Sequence, residues 1–280
     1  MREVAILGAG ELGGPTAHVL ARSHVARTVR LVDERGTIAA GKALDIAQAA
    51  PIEGVATQMI GTTDVASAAG ASVIVIADRV GAGEWRGDEG AQFLRRLAQM
   101  APRAVLLCAG ADARNMIDRA VRELRVSRSR TIGTAPEAFA SAARALCALA
   151  TNGSPKEVAL SVIGNPPEQT VVLWEHATLG GIALTSLLAE PDRRRLAGRI
   201  AASWPPGPYA LATAAVAAIE AIAGRTRRAL TCFVGPDTTM GARTRTAALP
   251  VRLGDAGIER IVLPELSAAG RVALEGSVSL

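Results

Sequence analysis

The chain has 280 residues, of which 49% are apolar and 2% aromatic, and 31 basic against 26 acidic side chains leave a net charge of +5. This length allows one large domain or two smaller ones, with a core built mainly of Ala, Val, Leu and Ile. The basic excess alone would permit nucleic-acid binding. However, the arginines are scattered and few aromatic side chains stand among them to stack on bases, so we expect no nucleic-acid partner.

Targeting signals and cysteine usage indicate the compartment. We find no signal peptide and no apolar run long enough to span a bilayer, which predicts a cytoplasmic protein without a membrane partner. Cys108, Cys147 and Cys232 each lie within an apolar run. We interpret them as reduced, buried thiols rather than as disulfides or metal ligands, and we expect no metal site.

The stretch VAILGAGELGG near the start organises the rest of the chain. An apolar run over 4–7 predicts a strand buried on both faces, and residues 17–21 predict a helix. Between them, Gly8, Gly10 and Gly13 match the pattern G-x-G-x-x-G. In that pattern the first glycine permits a tight turn, the second admits a pyrophosphate, and the third lets the helix approach the strand. The free N–H groups at the helix start then favour phosphate.

A second predicted strand, residues 29–32, ends in Asp33, about twenty residues past the glycines. An acidic side chain at this spacing hydrogen-bonds the adenosine ribose and repels a 2′-phosphate, which favours NAD over NADP. The alternative is an ordinary glycine turn followed by an aspartate that caps a helix. We predict NAD(H) binding by seven residues: Gly8, Gly10, Glu11, Leu12, Gly13, Asp33 and Ala77.

Strands and helices alternate through residues 1–133, which predicts a Rossmann-type, doubly wound parallel sheet. Its ligand crevice should lie at the carboxyl ends of the strands. Residues 78–90, rich in glycine and alanine, are predicted to form a mobile loop. The other predicted strands cover 72–77, 104–108 and 130–133, and the other predicted helices cover 41–48, 65–69, 93–100 and 116–124.

Residues 134–280 have a different pattern, which predicts a second, α+β domain with antiparallel strands. Two strands are expected around the turn Gly164-Asn165-Pro166-Pro167. The predicted strands cover 157–163, 170–174, 230–234, 247–253 and 258–263, and the predicted helices cover 137–150, 210–223 and 267–274.

Taken together, these segments resemble the lactate/malate dehydrogenase family, on the malate side, over nearly the whole length. The matching stretches are GAGELGG, LVDERGTIAAGKALDI, PYALATAAVAAIEAI and ALPVRLGDAGIERIVLPELSAAG. The resemblance implies a Rossmann domain over 1–133, a substrate domain over 134–280, NAD as hydride carrier, and a homodimer or homotetramer. The implied reaction is the reversible oxidation of a 2-hydroxy acid to a 2-oxo acid.

Several residues that the family reaction needs are not found at the matching positions. The reaction requires a histidine base, a carboxylate that orients it, and an arginine that grips the substrate carboxylate. An ungapped count places the histidine position at Pro166, the carboxylate position at Phe139 and the arginine position at Ala142. The family's Asn-Pro pair falls at Gly110-Ala111. A proline ring cannot accept a proton.

Two residues are weak candidates for a substitute site. Arg86 matches the family's loop arginine or its neighbour, and Glu168 lies in the turn that has lost the histidine. Burial can raise the pKa of a carboxylate toward neutral pH, so Glu168 is the best substitute base. The alternative is that Glu168 is an ordinary exposed glutamate without a catalytic role. His18, His24 and His176 are expected to be surface, packing or subunit-contact residues.

The residues expected to bind the cofactor therefore match the family, whereas the residues expected to carry out the reaction do not. We expect an NAD(H)-binding, malate/lactate dehydrogenase-like protein with a degenerate active site and without ordinary malate or lactate dehydrogenase activity. It would serve as a sensor, as a scaffold or as an enzyme on another substrate. Two alternatives stay open. One is an NAD-dependent oxidoreductase acting through a rebuilt site on a different 2-hydroxy or 2-oxo acid or another carbonyl. The other is an interaction protein that no longer holds NAD.

Overall fold

A computed structural model of the chain describes residues 1–237 and 244–278. Over these residues, no helix combines the length and the apolar character needed to cross a membrane.

The first half forms the parallel part of a large sheet. Its strands lie in the order β3-β2-β1-β4-β7-β8, all parallel, which is the order of a doubly wound dinucleotide-binding fold. The predicted Rossmann-type sheet is therefore confirmed. The elements are β1 (Glu3–Leu7), α1 (Gly13–Arg22), β2 (Thr28–Val32), α2 (Gly36–Glu53), β3 (Gln58–Thr62), β4 (Val73–Ile76), β5 (Asp78–Arg79), β6 (Gly83–Glu84), α3 (Gly87–Met100), β7 (Val105–Cys108), α4 (Ala113–Arg122) and β8 (Thr131–Gly133).

The second half extends the same sheet with antiparallel strands. Strand β14 pairs with β8 on one side and with β15 on the other, and β15 pairs with β10 and β16. The elements are α5 (Ala135–Thr151), β9 (Val158–Ala159), β10 (Val162–Asn165), β11 (Gln169–Val172), β12 (Thr178–Leu179), β13 (Ile182–Ala183), α6 (Leu184–Leu187), α7 (Glu190–Ala201), α8 (Pro208–Ile222), β14 (Leu230–Val234), β15 (Ala247–Gly254), β16 (Gly257–Ile261) and α9 (Ala268–Val278).

Burial explains why these segments take these forms. Strands β4 and β7 are buried at every residue, as expected for central parallel strands covered by helices on both faces. The alanines of α8 let this helix pack closely against α1 and α5. The main core includes α8 and β14 as well as the parallel half, so it crosses the predicted boundary at Gly133. The division into two domains stays a prediction.

Several segments differ from the sequence prediction, which gave no element between residues 174 and 210, where the structure has helix α7 (Glu190–Ala201). Residues 78–90, predicted to be a mobile loop, instead form the hairpin β5–β6 followed by the start of α3 at Gly87. Asp78 pairs with Glu84 across this hairpin, and the positive φ angles of Gly81 and Gly83 let the chain turn back in so few residues. The strand predicted over 157–163 is interrupted between β9 and β10.

Candidate functional site

The glycine turn lies between β1 and α1, at the carboxyl edge of the sheet. Gly8 has φ +107° and donates its N–H to the carbonyl of Val32 at 2.7 Å. A Cβ on Gly13 would lie 2.0 Å from the Gly8 carbonyl oxygen, so a side chain there would force α1 away from β1. The turn therefore depends on glycine for both its backbone conformation and its packing.

The backbone N–H groups that follow this turn converge on the side chain of Asp78. Its Oδ2 accepts the N–H of Glu11 at 2.7 Å, and its Oδ1 accepts those of Leu12 and Gly13 at 3.0 Å each. The first N–H groups of a helix, with its positive dipole end, form a natural anion site. We call these three N–H groups the anion cradle. It binds an anion in this structure, and that anion is a carboxylate of the protein itself.

Lys42 fixes the opposite side of the glycine turn. From α2, its Nζ donates to the carbonyl oxygens of Ala9 and Gly10, at 2.7 Å each. The Lys42 ammonium group thus binds the two carbonyls, and Asp78 binds the N–H groups of residues 11–13.

Asp33 lies at the end of β2, where the sequence predicts a ribose contact. Its carboxylate is buried and accepts three backbone N–H groups, from Ala9 at 2.8 Å, from Arg35 at 2.9 Å and from Val80 at 3.1 Å. Burial opposes its ionisation, but these bonds and the nearby Arg35 charge outweigh burial and hold the pKa of Asp33 below its ordinary value. The groove therefore has a second fixed anion beside the cradle.

A cavity of about 380 Å³ opens beside Gly8 and Asp33, at the carboxyl ends of β1 and β2. Its far wall includes Trp85 and Phe93, whose rings stack with their centroids 4.0 Å apart. Ala77, at the end of β4, is buried, and its N–H donates to the backbone carbonyl of Leu7 at 2.9 Å. This cavity lies at the carboxyl edge of the sheet, beside the point between β1 and β4 where the strand order reverses and such sheets bind their ligands.

The hairpin that carries Asp78 places a second carboxylate on another helix. Glu84 accepts the N–H groups of Ala111 at 3.1 Å and Asp112 at 3.0 Å, at the start of α4. Burial raises the pKa of Glu84, although these two N–H groups act in the opposite direction. We call residues 78–84, with a carboxylate at each end, the carboxylate hairpin.

The arginines near this hairpin are bound within the protein. Arg79 lies over the ring of Trp85, 3.9 Å from its centroid, and pairs with Glu89 at 2.7 Å. Arg86, a candidate for the family's loop arginine, is 72% exposed and pairs with Asp112 at 2.6 Å. A catalytic role for Arg86 stays a prediction.

Two positions that the sequence analysis matches to the family's base and its orienting carboxylate hold apolar residues, Pro166 and Phe139. Pro166 is buried in the turn between β10 and β11, whereas Glu168, two residues later, is exposed. Phe139 is fully buried and packs edge-on against Trp204. Phe139 is therefore a core aromatic ring, and its match to the family's orienting carboxylate stays a prediction.

A cation lies near Glu168. Arg114, on α4, interacts electrostatically with Glu168 and donates its Nε–H to the carbonyl of Thr246 at 2.8 Å. Burial lowers the pKa of the Arg114 guanidinium, although the nearby carboxylates of Asp118 and Glu168 act in the opposite direction. Glu168 as a substitute base stays a prediction.

Glu137 and two of the histidines have structural contacts. Glu137 is 3% exposed. Its carboxylate accepts hydrogen bonds from the side chains of Arg144 at 2.6 Å and Arg228 at 3.0 Å, and from the Thr231 N–H at 2.8 Å. His18 lies 3.1 Å from a carboxylate oxygen of Glu53, and His176 lies 2.8 Å from the carbonyl of Glu265. Within residues 1–237 and 244–278, no group of three His, Cys, Asp or Glu side chains is arranged to hold a metal.

Sequence reasoning missed Asp78, Glu84, Lys42 and Arg114. Asp78 had an available signal, because it comes directly after Ala77, at the carboxyl end of a strand that borders the predicted crevice. Lys42 and Glu84 had none, since their partners are backbone atoms that only the folded chain brings near.

Comparison with known proteins gives the family. Residues 2–96 match the family model described as lactate/malate dehydrogenase, NAD binding domain. A malate dehydrogenase of Bacillus cereus is 30% identical over 297 residues, which cover 99% of this chain and 95% of that protein. The chain belongs to the lactate/malate dehydrogenase family. Malate dehydrogenase of Thioalkalivibrio sulfidiphilus is 29% identical, with 100% and 97% of the two chains covered.

Solved structures of family proteins share the fold of this family member. Malate dehydrogenase from Salinibacter ruber superposes with a TM-score of 0.87 at 24% identity, covering 98% of this chain and 93% of that one. Lactate dehydrogenase from Cryptosporidium parvum, in complex with lactic acid and NAD, gives a TM-score of 0.85 at 22% identity, covering 99% and 94%. The predicted family and its Rossmann-type fold are therefore confirmed.

The predicted cofactor, NAD, is confirmed by the match of residues 2–96 to an NAD binding domain. The glycine turn of this family member is built for such a group. Its three N–H groups already bind an anion at hydrogen-bond distance, and a Cβ on Gly10 would lie only 2.2 Å from that anion. The residues therefore fit a dinucleotide phosphate, provided that the Asp78 carboxylate leaves the cradle.

Proposed function

We propose that this family member binds NAD(H) through its glycine turn and lacks ordinary malate or lactate dehydrogenase activity. One observation carries the second part: a buried proline, Pro166, lies in the turn where the family resemblance expects the proton-accepting histidine. The chain then acts as a cofactor-binding sensor or scaffold, or as an enzyme on another substrate.

The cofactor part of the proposal rests on the groove at the carboxyl edge of the sheet. The anion cradle would hold the pyrophosphate, and the Asp33 carboxylate, which accepts the Ala9 N–H of the glycine turn, would contact the adenosine ribose. The cavity beside Asp33 offers mainly apolar walls, including Trp85 and Leu97, for the adenine. When bound, NAD would supply a hydride carrier.

The reaction part rests on several losses at once. Removing a general base alone typically lowers a rate by about 10²–10⁴-fold. Here the matching positions for the base, its orienting carboxylate and the substrate-binding arginine hold Pro166, Phe139 and Ala142. Phe139 belongs to the core, so the orienting role has not passed to a polar residue at the same place.

Two assays test this proposal. Titration with NADH, followed by its fluorescence, should give saturable binding that Asp33→Ala weakens and Asp45→Asn, an exposed carboxylate change on α2, does not. Reduction of oxaloacetate or pyruvate at high protein concentration should give no turnover above background. Rapid oxaloacetate reduction would contradict the loss of activity, and absence of saturable binding would leave only an interaction protein.

A second candidate function has one specific observation in its favour. Arg114 and Glu168 interact electrostatically near the turn that carries Pro166, so a cation and a carboxylate remain there. They would serve an NAD-dependent oxidoreductase acting on a different 2-hydroxy or 2-oxo acid or another carbonyl. A screen of 2-oxo acids with NADH tests this function. Turnover that survives Glu168→Gln and Arg86→Ala would exclude the substitute site.

We also propose that the chain self-associates as a homodimer or homotetramer. Helix α2 exposes Leu44 and Ile52, the latter at 90%, and the family resemblance implies such an assembly. In sedimentation, Ile52→Glu should shift the protein toward monomer, whereas Leu149→Glu, an exposed leucine on α5, should not. A cytoplasmic location is part of the same proposal and suits three free thiols.

A further inference from the structure

The carboxylate hairpin places two anions on two helix starts. Asp78 and Glu84 lie directly opposite each other in the antiparallel pair β5–β6, so their side chains share one face. Asp78 accepts the three N–H groups of the anion cradle, and Glu84 accepts two N–H groups at the start of α4. One short segment thus supplies the counter-charge for both helix ends that border the groove.

The fit leaves no room for a second anion. A Cβ on Gly10 would lie 2.2 Å from Oδ2 of Asp78, and a Cβ on Gly110 would lie 2.1 Å from Oε2 of Glu84. Each carboxylate occupies the space that a glycine leaves free in front of a helix N-terminus. A pyrophosphate in the cradle would need the same N–H groups, so it and the Asp78 side chain exclude each other.

Further contacts hold the hairpin down. The N–H of Val80, between its two strands, donates to Asp33 at 3.1 Å. Arg79 lies over Trp85, which in turn stacks on Phe93 of α3. The hairpin strands themselves share only two residue pairs, and the turn residues Gly81 and Ala82 are exposed. The Gly10 N–H also donates to the Asp78 backbone carbonyl at 2.9 Å. These side-chain contacts and single hydrogen bonds lie outside the ladder of the large sheet, so the hairpin can be released without unpairing the sheet.

We propose that the carboxylate hairpin is a built-in competitor of the dinucleotide, so that NAD(H) binds only when Asp78 leaves the anion cradle. This inference rests on the proposed NAD(H) binding. The apparent affinity is the affinity of the open groove reduced by the fraction of molecules in which the hairpin is lifted. Any partner or condition that lifts the hairpin would then increase cofactor binding.

NADH titration of three variants tests the competition. Asp78→Gly removes the carboxylate and should tighten NADH binding by about tenfold or more, a change of about 1.4 kcal/mol or more. Asp78→Asn keeps the shape of the side chain but removes its charge, so it should tighten NADH binding less than Asp78→Gly does. It provides a second test of the competition if the glycine variant misfolds. Asp45→Asn, which removes a charge from exposed α2, should bind as the wild type does.

The outcomes separate this inference from the function on which it rests. If the wild type and Asp78→Gly bind NADH equally well, the competition is wrong and the cofactor site stands. If none of the proteins binds NADH, the proposed cofactor binding fails and the competition fails with it.

Hydrogen exchange gives an independent readout of the same motion. Saturating NADH should speed amide exchange across residues 78–86 in the wild type, because the hairpin is released. It should keep the amides of residues 11–13 protected, since phosphate replaces Asp78 as their acceptor. Slower exchange across 78–86 on NADH binding would overturn the inference.

Discussion

Gly10 and Asp78 fit together across the cofactor groove. The Asp78 carboxylate occupies the space in front of Gly10, so closely that a Cβ there would lie 2.2 Å from its Oδ2. The Gly10 N–H also donates to the Asp78 backbone carbonyl at 2.9 Å. The glycine that the sequence pattern assigns to a phosphate thus accommodates a side chain of the same protein.

The glycine turn makes Gly13 intolerant of any side chain. In Gly13→Ala, the new methyl group would lie 2.0 Å from the Gly8 carbonyl oxygen, so α1 or the turn must shift. We expect a loss of about 1–3 kcal/mol in the free energy of unfolding, as for other overpacked sites. Gly41→Ala is the control, because nothing lies within 4 Å of the position its Cβ would take and alanine favours the helix by up to about 1 kcal/mol. Urea denaturation of both variants measures the difference.

Lys42 should stabilise the turn through its charge. Lys42→Met removes two hydrogen bonds of 2.7 Å from an ammonium group to backbone carbonyls. Bonds of this charged kind contribute about 1.5–3 kcal/mol, and we expect a loss of that order in urea denaturation. Lys156, the other lysine of the sequence, is exposed, so Lys156→Met should change stability by less than about 0.5 kcal/mol. Equal losses in the two variants would contradict this role.

Glu137 should be a structural anion rather than a catalytic one. It is buried and bonded to Arg144, Arg228 and the Thr231 N–H, and breaking a buried pair from one side typically costs about 3–5 kcal/mol. We expect a loss of that order for Glu137→Ala. Arg228→Gln removes one ion-pair partner of Glu137 whose side chain is 56% exposed, so the free energy of unfolding should fall by only about 0–1 kcal/mol. Chemical denaturation compares them, and a smaller loss for Glu137→Ala would exclude the structural role.

The three cysteines should be inert in the folded protein. All are free and buried, and burial raises the pKa of Cys147 to about 11 and those of Cys108 and Cys232 above their ordinary range. Only the thiolate reacts with disulfide reagents. At pH 8 we expect no rapid reaction with a disulfide reagent in the native state and three reacting thiols after denaturation. A fast native reaction would place a cysteine outside the core.

Glu84 should make stability depend on pH. Burial raises its folded-state pKa above the ordinary value of 4.5, so between these two pKa values the folded state binds more protons than the unfolded state. The Glu84 contribution to the free energy of unfolding must then fall as pH rises through this window. Subtracting the stability curve of Glu84→Gln from that of the wild type, from pH 4 to 7, should give a downward slope. A rising difference would mean that its two N–H bonds outweigh burial.

Local sequence patterns were enough for the parallel half of the fold. The apolar runs that became β4 and β7, and the glycines and Asp33 around β1 and β2, depend on neighbours in sequence and on the rule that buried parallel strands are apolar throughout. The hairpin over residues 78–84 could not be predicted in this way. Its glycines indicate a loop when read alone, and its structure comes from contacts with α1, Asp33 and α4.

The sequence by itself determined the family and the Rossmann-type sheet, because both depend on residue types in a fixed order along the chain. Only the tertiary structure decided what the anion cradle binds. Asp78 is more than sixty residues away from Glu11 and Gly13 in the sequence, so no local sequence pattern could predict their contact. Folding brings the end of β4 beside the start of α1, where the Asp78 carboxylate accepts the N–H groups of residues 11–13.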